Sequence, residues 1–508
     1  MRPLWKAQFH PVDDHEFAAM LSLSGSSTAV RMYKRVIEMS PAADFPNSIH
    51  WRPGVWVVRA LEAGFLGDNV PLYFFSRTVL LALLGWLGAL FCRGIIDDLA
   101  GHPRVTLGTT TAIVIFGWTV ISTPYLFDVF GRLLPGEMYS LLGLTAWLYA
   151  WGHLQRSKAA GLFPTRGHRL TGFVGLVLLA VGKEDALFLW PLAVIFSYPE
   201  LRYLRKRGCK LTSGAYAASG LLWVAAFIQI VNTLFLRQVR LPYQSESTST
   251  LNQVVALFKR LHAPSVILAF GSLILIILIQ RRFFNGHVRV AWFLGLSMWF
   301  ELLYVASVPV TAPRYRAVFT VLSLLFFALI FFTLCRLRPP PGRLTVRSAT
   351  SVAILLLFLV QLGVRHQEAR NLGYYKITTE WNAMIDVVVE LTEATQTRQI
   401  VLVVDPPREA DIGKWEKSNS FAKFIRFASK GERKIFMTIM SPRAVGVSSQ
   451  ALRSLSVSSR DGTSDAAGVI FQPLDTLTDG RILCVLYTSS GRTFDFEERC
   501  DSRIRLTL

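Results

Sequence analysis

From about residue 73 to residue 364 the chain alternates long, nearly unbroken apolar runs with short polar connections. At a rise of about 1.5 Å per residue, an apolar helix of about 20 residues matches a bilayer core. Runs at 73–92, 106–127, 137–154, 213–235, 264–280, 290–308, 317–335 and 348–364 are predicted as spanning helices on that ground. Between them, 170–182 and 186–198 are shorter runs split by Lys183-Glu184-Asp185. Each predicts only about 20 Å of helix, so the pair reads as a re-entrant or broken hairpin. Backbone breaks at that depth survive only where protein or a water-filled cavity shields them.

The pattern changes after Arg365. Thr378 to Thr395 predicts a helix with Trp381, Ile385, Val388 and Val389 on one side, and Ile400–Val404, Ile435–Ile439 and Ile482–Leu486 predict short strands. The stretch 441–465 is rich in Ser, Arg and Gly, and neither a phosphate loop nor a nucleophile elbow is present. The expected fold is therefore an all-α polytopic membrane domain over 73–364, followed by a small α/β domain over 366–508. Residues 1–72 read as a loop region with amphipathic helices.

Loop charge sets the expected orientation. Connections 93–104, 155–169, 199–212, 281–289 and 336–347 carry 18 Lys and Arg, against 8 in 128–136, 183–185, 236–263 and 309–316. The first set is predicted to be cytoplasmic. The alternation holds if 170–198 crosses twice or returns as a hairpin, and fails for a single span. It puts 1–72 and 366–508 outside the cytoplasm, which leads to the expectation of one further helix upstream of Met1.

Composition agrees. Of 508 residues, 52% are hydrophobic and 17% charged, and the mean hydropathy is +0.39. The net charge of +20 resides largely in the topogenic loops rather than on a basic face interleaved with aromatics, which argues against a nucleic-acid partner. The five cysteines show no metal-ligand spacing, and Cys484 with Cys500 form the one pair positioned for a disulfide outside the cytosol.

Three constellations carry candidate chemistry. Asp13-Asp14, flanked by His15 and Glu16, is an acidic pair suited to general-base work or to a divalent metal ion. Asp13 with Glu16 equally fits a capping box for the helix that follows. Lys183, Glu184 and Asp185 lie between the two short runs; charges there mark a functional pathway or a hairpin tip in headgroup water. Arg52, Arg132 (near Glu137), and Arg314-Tyr315-Arg316 all fall on the side of residues 1–72. Their planar forks suit phosphate oxygens, or each alone snorkels to a lipid headgroup.

This layout resembles the GT-C superfamily of membrane glycosyltransferases, which includes protein mannosyltransferases and aminoarabinose transferases. The resemblance covers roughly 9–364, mostly as architecture. It rests on Asp13-Asp14 in the first extracytoplasmic loop, an amphipathic segment leading to Arg52-Pro53, and Arg314-Tyr315 ahead of a span. Members usually begin with a transmembrane helix before the acidic pair, which this sequence does not show. The resemblance implies a polyprenyl-phosphate sugar donor and an extracytoplasmic acceptor that is a glycan, lipid or protein. Asp13 or Asp14 would be the catalytic base of an inverting displacement. Arg52, Arg132, Lys183, Arg314 and Arg316 would hold the donor phosphate, with His15, Glu16, Glu137, Glu184, Asp185 and Tyr315 in support. The implied location is the bacterial cytoplasmic (inner) membrane. A transporter or flippase of lipid-linked glycans and a non-enzymatic envelope assembly factor are the other classes compatible with the pattern.

Overall fold

The computed structural model describes residues 53–100, 107–123, 125–131, 136–182, 186–208, 210–231, 263–280, 285–307, 316–336 and 360–375, together with a few helical residues between 378 and 428 and six strands between 399 and 507. Up to residue 375 the described residues contain no strand. The chain divides into two compact units. One comprises mainly Ser40–Trp56 and Phe74–Asn371, and the other Arg2–Met39, Val57–Tyr73 and Leu372–Leu508.

Helix α1 (Pro53–Leu66) opens on a proline, whose missing N–H costs nothing in the first turn. It ends at Gly67, whose φ of 57° suits a residue without Cβ. The Gly67 carbonyl then accepts the Tyr73 hydroxyl at 2.8 Å. Helix α2 (Val70–Ala100) has 31 residues. It is followed by α3 (Leu107–Ile121), the short α4 (Leu126–Phe130) and α5 (Glu137–Ala159). Next come α6 (Arg166–Gly182), α7 (Ala186–Lys206), α8 (Lys210–Val231), α9 (Ala263–Ile279), α10 (Asn285–Ser307) and α11 (Ala317–Arg336).

The two helices over the expected half-length pair at 170–198 are longer than their apolar runs. Helix α6 has 17 residues and α7 has 21, about 26 and 32 Å of helix. The helices outrun their apolar cores because backbone hydrogen bonding continues through the basic ends, Arg166 and Arg169 in α6 and Arg202, Arg205 and Lys206 in α7. Long cationic side chains tolerate this by keeping their charged heads in water while their stems cover apolar surface. Pro191 and Pro199 lie inside α7 without ending it. Residues 183–185 lie outside the described residues.

Helices α5 and α6 pack closely against each other in the first unit. A Cβ on Gly143 would come within 2.6 Å of the Gly175 carbonyl oxygen, and one on Gly175 within 2.7 Å of the Gly143 oxygen. Small residues at these positions let the two backbones touch, the packing that TM helices favour. Gly85 of α2 and Gly117 of α3 repeat the arrangement, a Gly117 Cβ falling 2.8 Å from the Gly85 oxygen. The core around α5 is aromatic: Trp147 and Trp151 stack with ring centroids 4.8 Å apart, and Phe293 of α10 lies 4.8 Å from Trp147.

The outward faces are apolar as well. On α2, Leu72, Phe75, Val79, Leu83 and Trp86 are exposed at three- and four-residue spacing, a continuous stripe along one side. Ile267, Phe270, Ile274 and Ile277 form the same pattern on α9, as do Leu221, Val224 and Phe227 on α8. Among the described residues two helices, Val70–Asp97 and Gly286–Val305, are long and apolar enough to cross a membrane; Tyr216–Ile228, Ala263–Leu278 and Ala317–Phe331 are shorter apolar helices.

In the second unit, residues described between 378 and 390 are helical, with Ile385 buried. Strands β1 (Gln399–Val404), β2 (Lys434–Ile439), β3 (Val469–Phe471), β4 (Ile482–Tyr487), β5 (Thr493–Glu498) and β6 (Ser502–Thr507) pair in the order β3-β2-β1-β4-β5-β6. The first four in that order run parallel, with Val401 in register with Phe436 and Cys484. Strands β5 and β6 add antiparallel at one edge, in a register that sets Asp495 opposite Arg505 and Glu497 opposite Arg503. The uniformly apolar sequence Ile400–Val404 is what a central parallel strand requires.

Candidate functional site

Among the described residues, a polar assembly in the first unit centres on Glu200, near the C-terminal end of α7 and 1% exposed. The Arg289 guanidinium of α10 meets its carboxylate as a two-point fork, donating at 2.9 Å to Oε2 and 2.8 Å to Oε1. The Trp151 indole N–H of α5 donates to Oε2 at 3.0 Å, and Lys158 Nζ approaches Oε1 at 3.4 Å. Arg289 also donates to the Phe196 carbonyl at 3.3 Å and lies 6.0 Å from the Trp151 ring centre.

A buried carboxylate is costly unless its oxygens are fully engaged. Glu200 meets that condition with donors from two helices, α5 and α10, so its chemistry is consumed in holding α5, α7 and α10 together. It is a clamp between helices. The sequence reading counted Lys158 and Arg289 only as loop charges and did not single out Glu200. A lone acidic residue straight after Pro199 in an otherwise basic segment was the available signal.

A second assembly lies beside the start of α6. Thr165 Oγ1 accepts the His168 backbone N–H at 3.3 Å and sits 2.7 Å from His168 Nδ1. His168 Nε2 lies 3.2 Å from the Tyr149 hydroxyl, and the His153 ring stacks on His168 at 3.7 Å. The neutral tautomer with hydrogen on Nε2 satisfies both ring nitrogens, Thr165 donating to Nδ1 and Tyr149 accepting from Nε2. Burial first, and the Arg156 charge second, hold the His168 pKa below its ordinary 6.5. Among the described residues no group of three or more His, Cys, Asp or Glu is arranged to hold a metal ion.

Of the residues expected to form a site, Glu137 and Arg316 are described. Glu137 occupies the first turn of α5, where its negative charge complements the helix dipole, and it is buried. Arg316 immediately precedes α11, partly exposed, with its carbonyl accepting the Thr320 hydroxyl at 2.8 Å. Asp13, Asp14, His15, Glu16, Arg52, Arg132, Lys183, Glu184, Asp185, Arg314 and Tyr315 lie outside the described residues.

The described part of the first unit is thus a helical bundle, apolar inside and out, braced by one fully engaged ion cluster. No protein-family model matches the chain, and neither a curated protein nor a solved structure shows significant similarity to it.

Proposed function

We propose that this chain is a multi-span membrane protein that transfers a sugar from a polyprenyl-phosphate donor to an acceptor outside the cytoplasm. The membrane part rests on the outward apolar stripes of α2, α8 and α9. Helices with apolar surface on every side need either a larger protein core or lipid around them. Contiguous exposed apolar surface of this extent is unfavourable in water.

Hydrogen bonds support the sidedness read from loop charge. Arg156 donates to the Gly94 carbonyl at 2.9 Å, and Lys158, Glu200 and Arg289 meet at one cluster. Four connections counted as cytoplasmic therefore share one end of the bundle. The Gln367 amide donates to the carbonyls of Ile121 and Thr123 at 2.9 and 3.0 Å, joining two segments assigned to the other end.

The transferase part rests on one sequence observation, the acidic pair Asp13-Asp14 assigned to the same side as Arg52, Arg132, Arg314 and Arg316. In this reading one carboxylate takes the acceptor hydroxyl proton as the oxygen attacks the anomeric carbon. The arginines, with Lys183, neutralise the departing polyprenyl phosphate. Glu137, beside Arg132 in sequence, would help orient that arginine. A divalent metal held by the acidic pair is the alternative role of those carboxylates. Residues 366–508 are read as a small extracytoplasmic α/β domain that positions the acceptor, and the bacterial cytoplasmic membrane as the location.

The test is sugar transfer by the full chain in membrane vesicles, from a radiolabelled polyprenyl-phosphate sugar. Removing the base through Asp13→Asn or Asp14→Asn is expected to slow transfer by about 10²–10⁴ in one of the two variants. Transfer at the wild-type rate by both variants overturns the assignment. Movement of the labelled lipid across the bilayer without chemical change would replace the transferase by a flippase.

A further inference from the structure

The cytoplasmic end of α7 carries charge that the Glu200 clamp does not use. Along its outward face, Ile195, Tyr198, Arg202 and Arg205 follow one another at three- and four-residue spacing and are all exposed. One face thus passes from an apolar side chain, through an amphipathic ring, to two cations. Tyr198, Arg202, Arg205 and Lys206, with Tyr216 of α8, line a cavity of about 530 Å³. Among the described residues, none that lines it is acidic. The nearby carboxylate of Glu200 is 1% exposed and already engaged by Arg289 and Lys158.

Further along α8 from Tyr216, Val224 and Phe227 are exposed and apolar, surface that suits acyl chains. Arg207, next in sequence, is occupied differently, its guanidinium 5.6 Å from the Phe163 ring centre and 5.3 Å from that of Tyr203.

Two arginines and a lysine lining one concavity, with two tyrosines beside them and exposed apolar residues on the same two helices, match a phosphodiester with lipid tails. We propose that this cavity binds the headgroup phosphate of an anionic phospholipid from the cytoplasmic leaflet, anchoring the α7–α8 pair in the membrane. The site rests on the membrane reading above and is separate from the donor site proposed on the opposite side.

The experiment uses the full-length chain, purified in a mild detergent and examined by native mass spectrometry with dioleoyl phosphatidylglycerol or dioleoyl phosphatidylcholine. Retention of phosphatidylglycerol is expected to exceed that of phosphatidylcholine by about tenfold or more, as three cations near one phosphate require. Millimolar inorganic phosphate should not displace the lipid. The combined variant Arg202→Gln, Arg205→Gln, Lys206→Gln should lose the preference, and Arg207→Gln should keep it. Equal retention of the two lipids by the wild-type chain overturns the proposal whatever the variants do. Displacement by inorganic phosphate overturns it in favour of a free-phosphate site. An undiminished preference in the triple variant overturns it too. Alkaline extraction of the source membranes separates the two readings. A chain that stays in the bilayer but shows no lipid preference defeats the site alone; a chain released by extraction defeats the membrane reading and the site with it.

Discussion

Replacing Arg289 with alanine would leave the Glu200 carboxylate, 1% exposed, with the Trp151 N–H and Lys158 Nζ at 3.4 Å as its remaining donors. Breaking a buried ion pair from one side typically costs 3–5 kcal/mol, because the surviving charge stays buried and under-engaged. Arg289 is itself 30% exposed and Lys158 remains nearby, so the lower end applies, about 3 kcal/mol. Removing both charges together should be far milder. In Glu200→Met/Arg289→Met, apolar side chains of similar length fill the space and no uncompensated ion remains. The double variant is therefore expected to be more stable than Arg289→Ala alone. The assay is unfolding by SDS in mixed detergent micelles, followed by tryptophan fluorescence, since Trp151 is part of the cluster. If Arg289→Ala unfolds within about 0.5 kcal/mol of wild type, the carboxylate is not buried as described and the clamp is refuted. A double variant less stable than Arg289→Ala would show that the charges themselves, rather than the avoidance of a lone one, hold the helices.

Close backbone contact makes a second prediction. Gly175→Ala should cost about 1–3 kcal/mol, since the new methyl meets backbone atoms that cannot yield, while Gly152→Ala, with nothing within 4 Å, should be neutral or slightly stabilising; equal effects in the same unfolding assay would count against the α5–α6 crossing. Leu83→Arg, on the exposed stripe of α2, should reduce membrane insertion by an apparent penalty of about 2.5–3.5 kcal/mol, read as the fraction resistant to alkaline extraction. Wild-type insertion of Leu83→Arg would show that this face does not meet lipid. The lowered pKa of His168 means that the unfolded chain takes up its proton first as the solution is acidified. Its contribution to stability is thus full above about pH 6.5 and is lost as pH falls from there toward the folded value. His168→Gln should flatten the acid side of a midpoint-versus-pH curve, and an unchanged slope would assign the acid sensitivity elsewhere.

The sequence alone determined where most helices lie. Runs read at 137–154, 264–280, 290–308 and 317–335 fall within or nearly coincide with α5, α9, α10 and α11. The reason is local: a long apolar segment can satisfy its backbone polar groups without water only by coiling on itself. Loop charge supplied an expected orientation in the same local way, since that expectation depends on counting cations rather than on knowing their partners. Helix limits were less so. Helices α6 and α7 outlast their apolar runs because their basic ends can stay helical while reaching water, which hydropathy scores as loop. The Glu200 cluster lay beyond sequence reasoning altogether. Its donors stand 42, 49 and 89 residues away in the chain, and nothing in a basic loop distinguishes a cation that orients the chain from one that closes a clamp. The glycines at 143 and 175 likewise owe their role to the crossing of two helices there. A segment can report its own length, polarity and hydrogen-bonding needs; which buried charge it answers, and which backbone it touches, depends on a partner far along the chain and is decided only by packing.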